Sequence, residues 1–501
     1  MIRLTDQQVR AAATDKRLVN IVSAPGSGKT TVAAERFGYR RYRRPDDRGV
    51  LGLSFTRAAA SELGDRVRAR WGSDSTQFPH RITTFDDFHV SLFQHLLDQS
   101  LVHWPKLTGE IQVFDDYRGF PGYRSIAAGS WIRYMALTAA NSVFSKAKRS
   151  DKRRLGISTA AEHKAILSAG MCSHEDLRRL LAEALRSDEV WATLKDWIAS
   201  NYSDLIVDEI YDAAELDLLI ARMAAEAGLG VTVIGDPWQA VYGWRGATPD
   251  KVPILLDTAF VDYPLSASFR FRGEQMPALA ELLRNGKSVD LPSIRSVDID
   301  VAIARRWERL LPSGENVLPL AFRTVSNRTD AMLNLLLDTI TRAHLGKSSF
   351  GREGAIVQLG IAAETLDEMQ DQLFQPALED LVDGAAPTEV MEELREAIRA
   401  LGCPRPKRLS AEKEAKRVSE LAMLASRLRL GNLIPGMTVH QAKGQEWQRV
   451  GVALSPQDVA LLDLGLKPLT DDHCILYVAL TRARDRCGRL DPIAAVSPVV
   501  E

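Results

Sequence analysis

Eight residues, Ser23-Ala24-Pro25-Gly26-Ser27-Gly28-Lys29-Thr30, constrain this chain more than any other stretch. They lie between an apolar run, Leu18-Val19-Asn20-Ile21-Val22, and a helix-compatible run, Thr31-Val32-Ala33-Ala34-Glu35-Arg36-Phe37. That is the strand, loop and helix setting of a phosphate-binding loop, or P-loop. Small residues let backbone N–H groups turn inward around phosphate oxygens, and a helix beginning at Lys29-Thr30 aims its positive end at them. Lys29 is expected to reach the β- and γ-phosphates of ATP, and Thr30 to ligate Mg²⁺. Ala24, Gly26, Ser27, Gly28 and Thr31 complete the expected cradle. Ser23 stands where the strict pattern has its first Gly. A Gly-rich turn ahead of a surface helix would share the composition, but not Gly28-Lys29-Thr30 with these flanks.

Charge narrows the partners. With 64 Lys+Arg against 65 Asp+Glu in 501 residues, the net charge is −1, so nucleic acid would have to be met by local basic patches. Cys172, Cys403, Cys474 and Cys487 are scattered without ligand spacing, which argues against a zinc site or a disulfide framework and fits a reducing cytoplasm. Met1-Ile2-Arg3-Leu4-Thr5-Asp6 has no apolar signal core. No apolar run approaches the roughly 18 residues of a membrane span, so no membrane contact is expected.

Residues 1–88 alternate short apolar strands with helical patterns, which reads as a parallel sheet flanked by helices. Thr5 or Asp6 starts a helix, and Gln8, upstream of the P-loop strand, has an amide able to meet an adenine edge. Val50 to Thr56 is a strand whose carboxyl end carries Phe55 and Thr56, where open α/β sheets bind ligands. Another strand, Arg81 to Phe85, contains Thr84. From 89 to 200 the pattern turns helical, and includes the basic run Lys146-Ala147-Lys148-Arg149-Ser150-Asp151-Lys152-Arg153-Arg154. Such a run is as often a solvated helix face as a phosphate contact. The sheet resumes at Asp204-Leu205-Ile206-Val207-Asp208-Glu209, an apolar strand ending in two acids. Asp208 suits the metal ion, and Glu209 suits the proton of the attacking water. Val231 to Ile234 forms the next strand and leads into Gly235-Asp236-Pro237-Trp238-Gln239-Ala240-Val241-Tyr242-Gly243-Trp244-Arg245-Gly246-Ala247.

At this string the chain resembles the UvrD/Rep/PcrA family of superfamily 1 DNA helicases. Gly235-Asp236, Gln239, Tyr242 and Trp244-Arg245-Gly246-Ala247 match the family's GDxxQSIYxFRGA motif, and Phe55-Thr56, Ala59-Ala60 and Glu62-Leu63 are similar to its TFTNKAAxEM. Thr84-Phe85 resembles its TFH segment, and Leu265 to Arg270 its LxxNYRS. Met437 to Trp447 resembles its MTxHxAKGLEF, and Tyr477 to Ala483 its YVAxTRA.

The resemblance implies an α/β fold with two RecA-like P-loop NTPase domains carrying helical insertions. The implied segments are a first RecA-like domain at 1–88 and 201–262, a helical insertion at 89–200, a second RecA-like domain at 263–349 and 431–501, and a reduced helical insertion at 350–430. It further implies ATP and Mg²⁺ between the domains, with Gln8, Lys29, Thr30, Asp208, Glu209 and Gln239 from the first, and Arg270 and Arg482 from the second. Phe269 would stack on adenine, Arg36 would lie beside the base, and Glu446 would meet the ribose. Phe55, Thr56, Thr84, Tyr242, Trp244, Arg245 and His440 are the implied contacts to single-stranded or tailed duplex DNA, with Trp244 as a stacking platform or, alternatively, a core aromatic.

The implied activity is 3′ to 5′ movement on single-stranded DNA driven by ATP hydrolysis. The alternative is a DNA-responsive ATP switch that activates a partner nuclease without processive unwinding. Departures from the family pattern bear on that choice. Tyr211 replaces a Gln, Arg57-Ala58 replaces Asn-Lys, Asp86 replaces a His and Gln445 replaces a Leu. In the second domain a strand is expected over Asn316 to Thr324 and a helix from about Thr329 to His344. The short insertion and the end soon after Arg484 give a compact form that resembles the helicase subunit of the Gabija anti-phage system, which implies an OLD-type nuclease partner and antiviral defence.

Overall fold

The computed structural model describes residues 3–43, 47–115, 131–149, 160–257, 259–323, 325–361, 366, 369–400 and 402–490. Two compact units divide between Phe269 and Arg270. Each is built on a six-stranded parallel sheet of RecA-like α/β type.

In the first unit the strands are β1 (Leu18–Val22), β2 (Gly49–Ser54), β3 (Arg81–Thr84), β4 (Gln112–Phe114), β5 (Trp131–Leu137), β6 (Val143–Arg149), β7 (Met171–Ser173), β8 (Tyr202–Asp208), β9 (Gly230–Gly235) and β10 (Val261–Asp262). The main sheet runs β10-β1-β9-β8-β2-β3. Its central strands are apolar along their length because helices cover both faces of a parallel sheet. Val19, Ile21, Val50, Ile206 and Ile234 pack there with Val32 and Phe37 of the helix Lys29–Arg43 and with Leu63 of the helix Arg57–Trp71. Because all six strands are parallel, Ser23, Phe55, Phe85, Glu209 and Asp236 emerge on one edge of the sheet.

The insertion departs from its helical expectation. It contains the helices Ala160–Ser168, His174–Ala184 and Asp188–Asn201, but also the parallel pair β4–β7 and the antiparallel hairpin β5–β6. The basic run lies partly on β6, and its residues 150–154 fall outside the described residues. A period of two in Val143-Phe144-Ser145-Lys146-Ala147-Lys148 favours a strand with one buried and one solvated face.

Behind the sheet edge, Thr84 caps the helix Phe85–Asp98, which buries His89. His89 Nε2 lies 3.1 Å from Asp217 Oδ1, and Nδ1 lies 3.8 Å from Asp86 Oδ1. Arg178 donates to the same Asp86 carboxylate. Burial pushes the imidazole pKa down, but hydrogen bonding and attraction from the two carboxylates outweigh it and hold the pKa above 6.5. A histidine pKa raised on folding contributes its full stabilisation below the unfolded value, and loses it as pH rises through the folded value. The melting temperature is therefore expected to fall as pH rises above the ordinary histidine value of 6.5, and to fall less in His89→Asn. Equal falls in both proteins would remove His89 as the source.

The second unit contains β11 (Ser293–Ile294), β12 (Val301–Ala304), β13 (Val317–Pro319), β14 (Ile434–Thr438), β15 (Trp447–Ala453) and β16 (Ala483–Leu490), ordered β11-β16-β15-β12-β14-β13. The strand expected over Asn316 to Thr324 shrinks to β13. It is an edge strand ending at Pro319, which has no N–H to give the ladder, and Thr324 lies outside the described residues. The helix Arg328–Leu345 carries the core of the region that follows. Met332, Leu335, Leu336 and Ile340 pack against Phe374, Leu394 and Leu421 from helices Gln375–Asp383, Pro387–Ala400 and Ala411–Leu428 and the turn before them. Residues 362–365, 367 and 368 fall outside the described set. No helix among the described residues is long and apolar enough to cross a membrane.

Candidate nucleotide and nucleic-acid site

The P-loop occupies the turn between β1 and the helix Lys29–Arg43. Gly26 and Gly28 take positive φ, 71° and 82°, which a side chain would strain. A Cβ at Gly28 would also lie 2.7 Å from Gln8 Nε2. Ser27 Oγ is buried in the loop with no hydrogen-bond partner, a vacant polar atom suited to a phosphate oxygen.

Around Lys29 the structure assembles the residues expected to act on the phosphates. Its ammonium lies 2.8 Å from Glu209 Oε1 and 3.5 Å from Gln239 Oε1. Gln239 is fixed from behind, because its Nε2 donates to Asp236 Oδ2 at 2.7 Å. Thr30 Oγ1 lies 3.4 Å from Asp208 Oδ2, while Glu209 N donates to Asp208 Oδ1 at 3.0 Å. Burial and the neighbouring Glu209 push the Asp208 carboxyl up to about 7, a bias that a bound cation would reverse. Glu209 itself sits at φ 61°, ψ 44°, left-handed backbone that is uncommon outside glycine and is found at functional sites. Among the described residues no three His, Cys, Asp or Glu side chains could hold a metal. One hydroxyl and one or two carboxylates nevertheless fit Mg²⁺, which takes few protein ligands and completes its shell with water and phosphate.

A second segment runs beside the loop. Ala24 N donates to Leu265 O at 3.0 Å, Ser268 Oγ to Pro25 O at 2.7 Å, and Phe269 N to Gly26 O at 2.9 Å. Phe269 is thereby pinned to the loop with its ring 58% exposed, as a stacking residue requires. Sequence reasoning missed Gln7, whose amide exchanges hydrogen bonds with Ser266. It also missed Arg66, which donates to Thr31 Oγ1 at 3.0 Å and pairs with Glu62. Both partners are remote in sequence, and nothing local announces them.

Three of the implied nucleotide residues hold protein partners in this structure. Gln8 has both amide atoms hydrogen-bonded within the protein. Oε1 accepts from Thr5 N at 3.0 Å and Nε2 donates to Ser27 O at 2.9 Å, so it caps its own helix and braces the P-loop. Arg36 is fully buried, and its guanidinium bonds Thr232 Oγ1, Ala12 O, Thr14 O and Lys16 O, which makes it a strut under the sheet. Glu446, in the second unit, pairs its carboxylate with Arg270 at 2.7 Å and Arg484 at 2.5 Å. Burial alone would raise its pKa, but these guanidiniums hold it below the ordinary carboxylate range. Arg270 also donates to Thr481 O at 2.7 Å, and buried Arg482 donates to Val478 O at 3.0 Å.

The implied DNA contacts divide into aromatic and capping residues. Trp244 is 64% exposed, which excludes a core role. Arg245 covers both neighbouring rings, with its guanidinium 4.9 Å from the Trp244 centroid and 5.4 Å from that of Tyr242. Phe55 stacks on Phe85 at 4.9 Å. Thr56 and Thr84 instead cap helices, accepting from Ala59 N and Asp87 N, both at 3.1 Å. Thr84 is buried and also donates to Asp87 Oδ2, so its hydroxyl serves a helix cap here. His440 lies half-buried in the short helix Val439–Ala442 after β14. Tyr211 is buried under β9, where a Cβ at Gly235 would come within 2.8 Å of its ring.

Comparison with known proteins adds a lineage to this geometry. A model of the UvrD/REP helicase N-terminal domain matches residues 4–255, just over half of the chain, and one of the UvrD-like helicase C-terminal domain matches residues 362–487. A probable DNA helicase of Mycoplasma pneumoniae is 24% identical over 269 residues, half of each chain. ATP-dependent DNA helicase UvrD2 of Mycobacterium tuberculosis is 22% identical over 552 residues, covering 96% of this chain and 77% of its own. DNA helicase II of Escherichia coli is 23% identical over 282 residues, 53% of this chain and 37% of its own. The chain thus spans half or less of the length of two of these three relatives.

Proposed function

Because the chain belongs to the UvrD/REP helicase family, we propose that it is an ATP-dependent DNA helicase or translocase that moves 3′ to 5′ on single-stranded DNA. The observation that supports this reading most is the convergence of Lys29, Glu209, Gln239, Thr30 and Asp208 on the sheet edge that also carries the aromatic turn of Tyr242, Trp244 and Arg245. The P-loop amides and Lys29 bind and orient the phosphates. Glu209 accepts the proton of the attacking water, and Gln239, held by Asp236, positions the reacting groups. Thr30 and Asp208 would hold Mg²⁺, which when bound neutralises phosphate charge. Arg270 and Arg482 are assigned to the γ-phosphate on their motifs alone. The segment boundaries inferred from the motifs, 1–88 and 201–262 for one nucleotide-binding domain, and 263–349 and 431–501 for the other, are part of the same proposal.

A second reading, a DNA-responsive ATP switch, draws on Tyr211. Its ring fills the space between the exits of β8 and β9, where the family pattern has a Gln. The narrower expectation of a Gabija-like subunit beside an OLD-type nuclease in antiviral defence rests on chain length and motif set, and draws nothing from the family models or the relatives. Strand displacement on tailed duplexes separates the readings. The helicase releases strand from 3′-tailed duplex in the presence of ATP, and Trp244→Ala reduces that release about tenfold. ATP hydrolysis with no release from either tail would favour the switch.

A further inference from the structure

The hairpin β5–β6 takes no part in the nucleotide site. Its register pairs Tyr134 with Lys146 and Ala136 with Phe144. Alternation places Met135 and Val143 on one face, both buried, and Tyr134, Ala136, Phe144, Lys146 and Lys148 on the other, where Ala136 is buried and the rest reach the surface. Phe144 is 36% exposed, and both lysines are exposed. Tyr134 holds two cations over its ring, Lys148 Nζ at 5.5 Å and the Arg179 guanidinium at 4.8 Å. None of the hairpin's described side chains on this face is acidic, while Arg179 is itself paired with Glu175 at 3.0 Å and Asp176 at 2.8 Å. The free edge of β5 is closed, because Met135 N donates to Asp176 Oδ1 at 3.0 Å and Leu137 N to Glu183 Oε2 at 2.8 Å. Another strand cannot pair there, so the face rather than the edge is available.

We propose that this face is a contact for a single strand of nucleic acid, with Phe144 as a base platform and Lys146 and Lys148 on the phosphates. A merely solvated face would explain the lysines but not an exposed aromatic ring displayed next to them. Exposed aromatics interleaved with cations suit unpaired bases, whose π-faces are open, whereas a duplex keeps its base faces stacked. The inference rests on the reading that the chain binds DNA, and adds a surface outside the helicase motifs.

The test is binding of fluorescent oligothymidine to the full chain across a salt series. Phe144→Ala is expected to weaken binding about tenfold, with Phe144→Trp retaining it. Lys146→Gln combined with Lys148→Gln is expected to flatten the log–log salt slope by about 1.4, the release expected for two single-strand phosphate contacts. DNA-free ATP hydrolysis and melting temperature stay at wild-type values, because the substituted side chains lie outside the nucleotide site. Wild-type affinity and slope in all these variants would overturn the proposal. So would a loss confined to blunt duplex, which would assign the face to double strands. Failure of the unmodified chain to bind oligothymidine would instead bring down the DNA reading on which the proposal stands.

Discussion

Lys29→Ala is expected to lower ATP hydrolysis about 10³-fold, about 4 kcal/mol of transition-state stabilisation, while the protein stays folded. The structure places the Lys29 ammonium against both Glu209 and Gln239. Lys29 pairs with Glu209 at 2.8 Å, so on the proposed function phosphate binding would exchange one anion for another at Lys29 and release Glu209 for the water. Truncation removes the exchange partner from the γ-phosphate and leaves a carboxylate facing an anionic substrate. Lys29 is a partly exposed residue at a helix start, so its loss costs little stability. Steady-state hydrolysis measured beside thermal melting separates the two effects. A variant that retains a tenth or more of wild-type turnover would exclude Lys29 from the chemistry.

Arg36→Ala carries the largest expected stability loss, about 4 kcal/mol, read as a fall of roughly 10 °C in the melting temperature. The guanidinium gathers three backbone carbonyls from residues 12–16 and a hydroxyl from β9, so truncation strands four acceptors and opens a cavity in the core. Burial has already cost this cation hydration, lowering its pKa to about 10, so its bonds to these oxygens are what hold it in place. A residue beside the adenine would behave differently, raising the KM for ATP with little change in melting. Melting temperature and KM measured on the one variant therefore distinguish a strut from a base contact.

Arg36 also shows where sequence reading ends. In a helix that follows a P-loop, a cation about two turns past Lys29 looks the same whether it faces ligand or core. The choice was made by the chain segment at 12–16, which curls over it. The P-loop, the acids ending β8 and the Gly235 to Ala247 turn were legible because each couples an apolar strand to residues with defined chemistry at its carboxyl end. The first parallel sheet followed from the alternation of apolar strands with helical patterns, and the second from the family resemblance. The hairpin β5–β6 was hidden because its period of two is written in lysine and alanine as much as in apolar residues, and charge drew the eye to a helix face. Gln7 with Ser266, 259 positions apart, and Asp236 behind Gln239 depend on tertiary approach or rotamer choice. Thr84 kept its place in the motif, but its hydroxyl went to the nearest helix N-terminus, as threonine at such positions commonly does.

The most direct measurement is the rate of ATP hydrolysis by the purified chain with and without single-stranded DNA, with Lys29→Ala as the control. DNA-coupled action predicts low turnover alone, strong stimulation by DNA, and neither in the variant. Turnover that is the same with and without DNA would contradict a nucleic-acid motor.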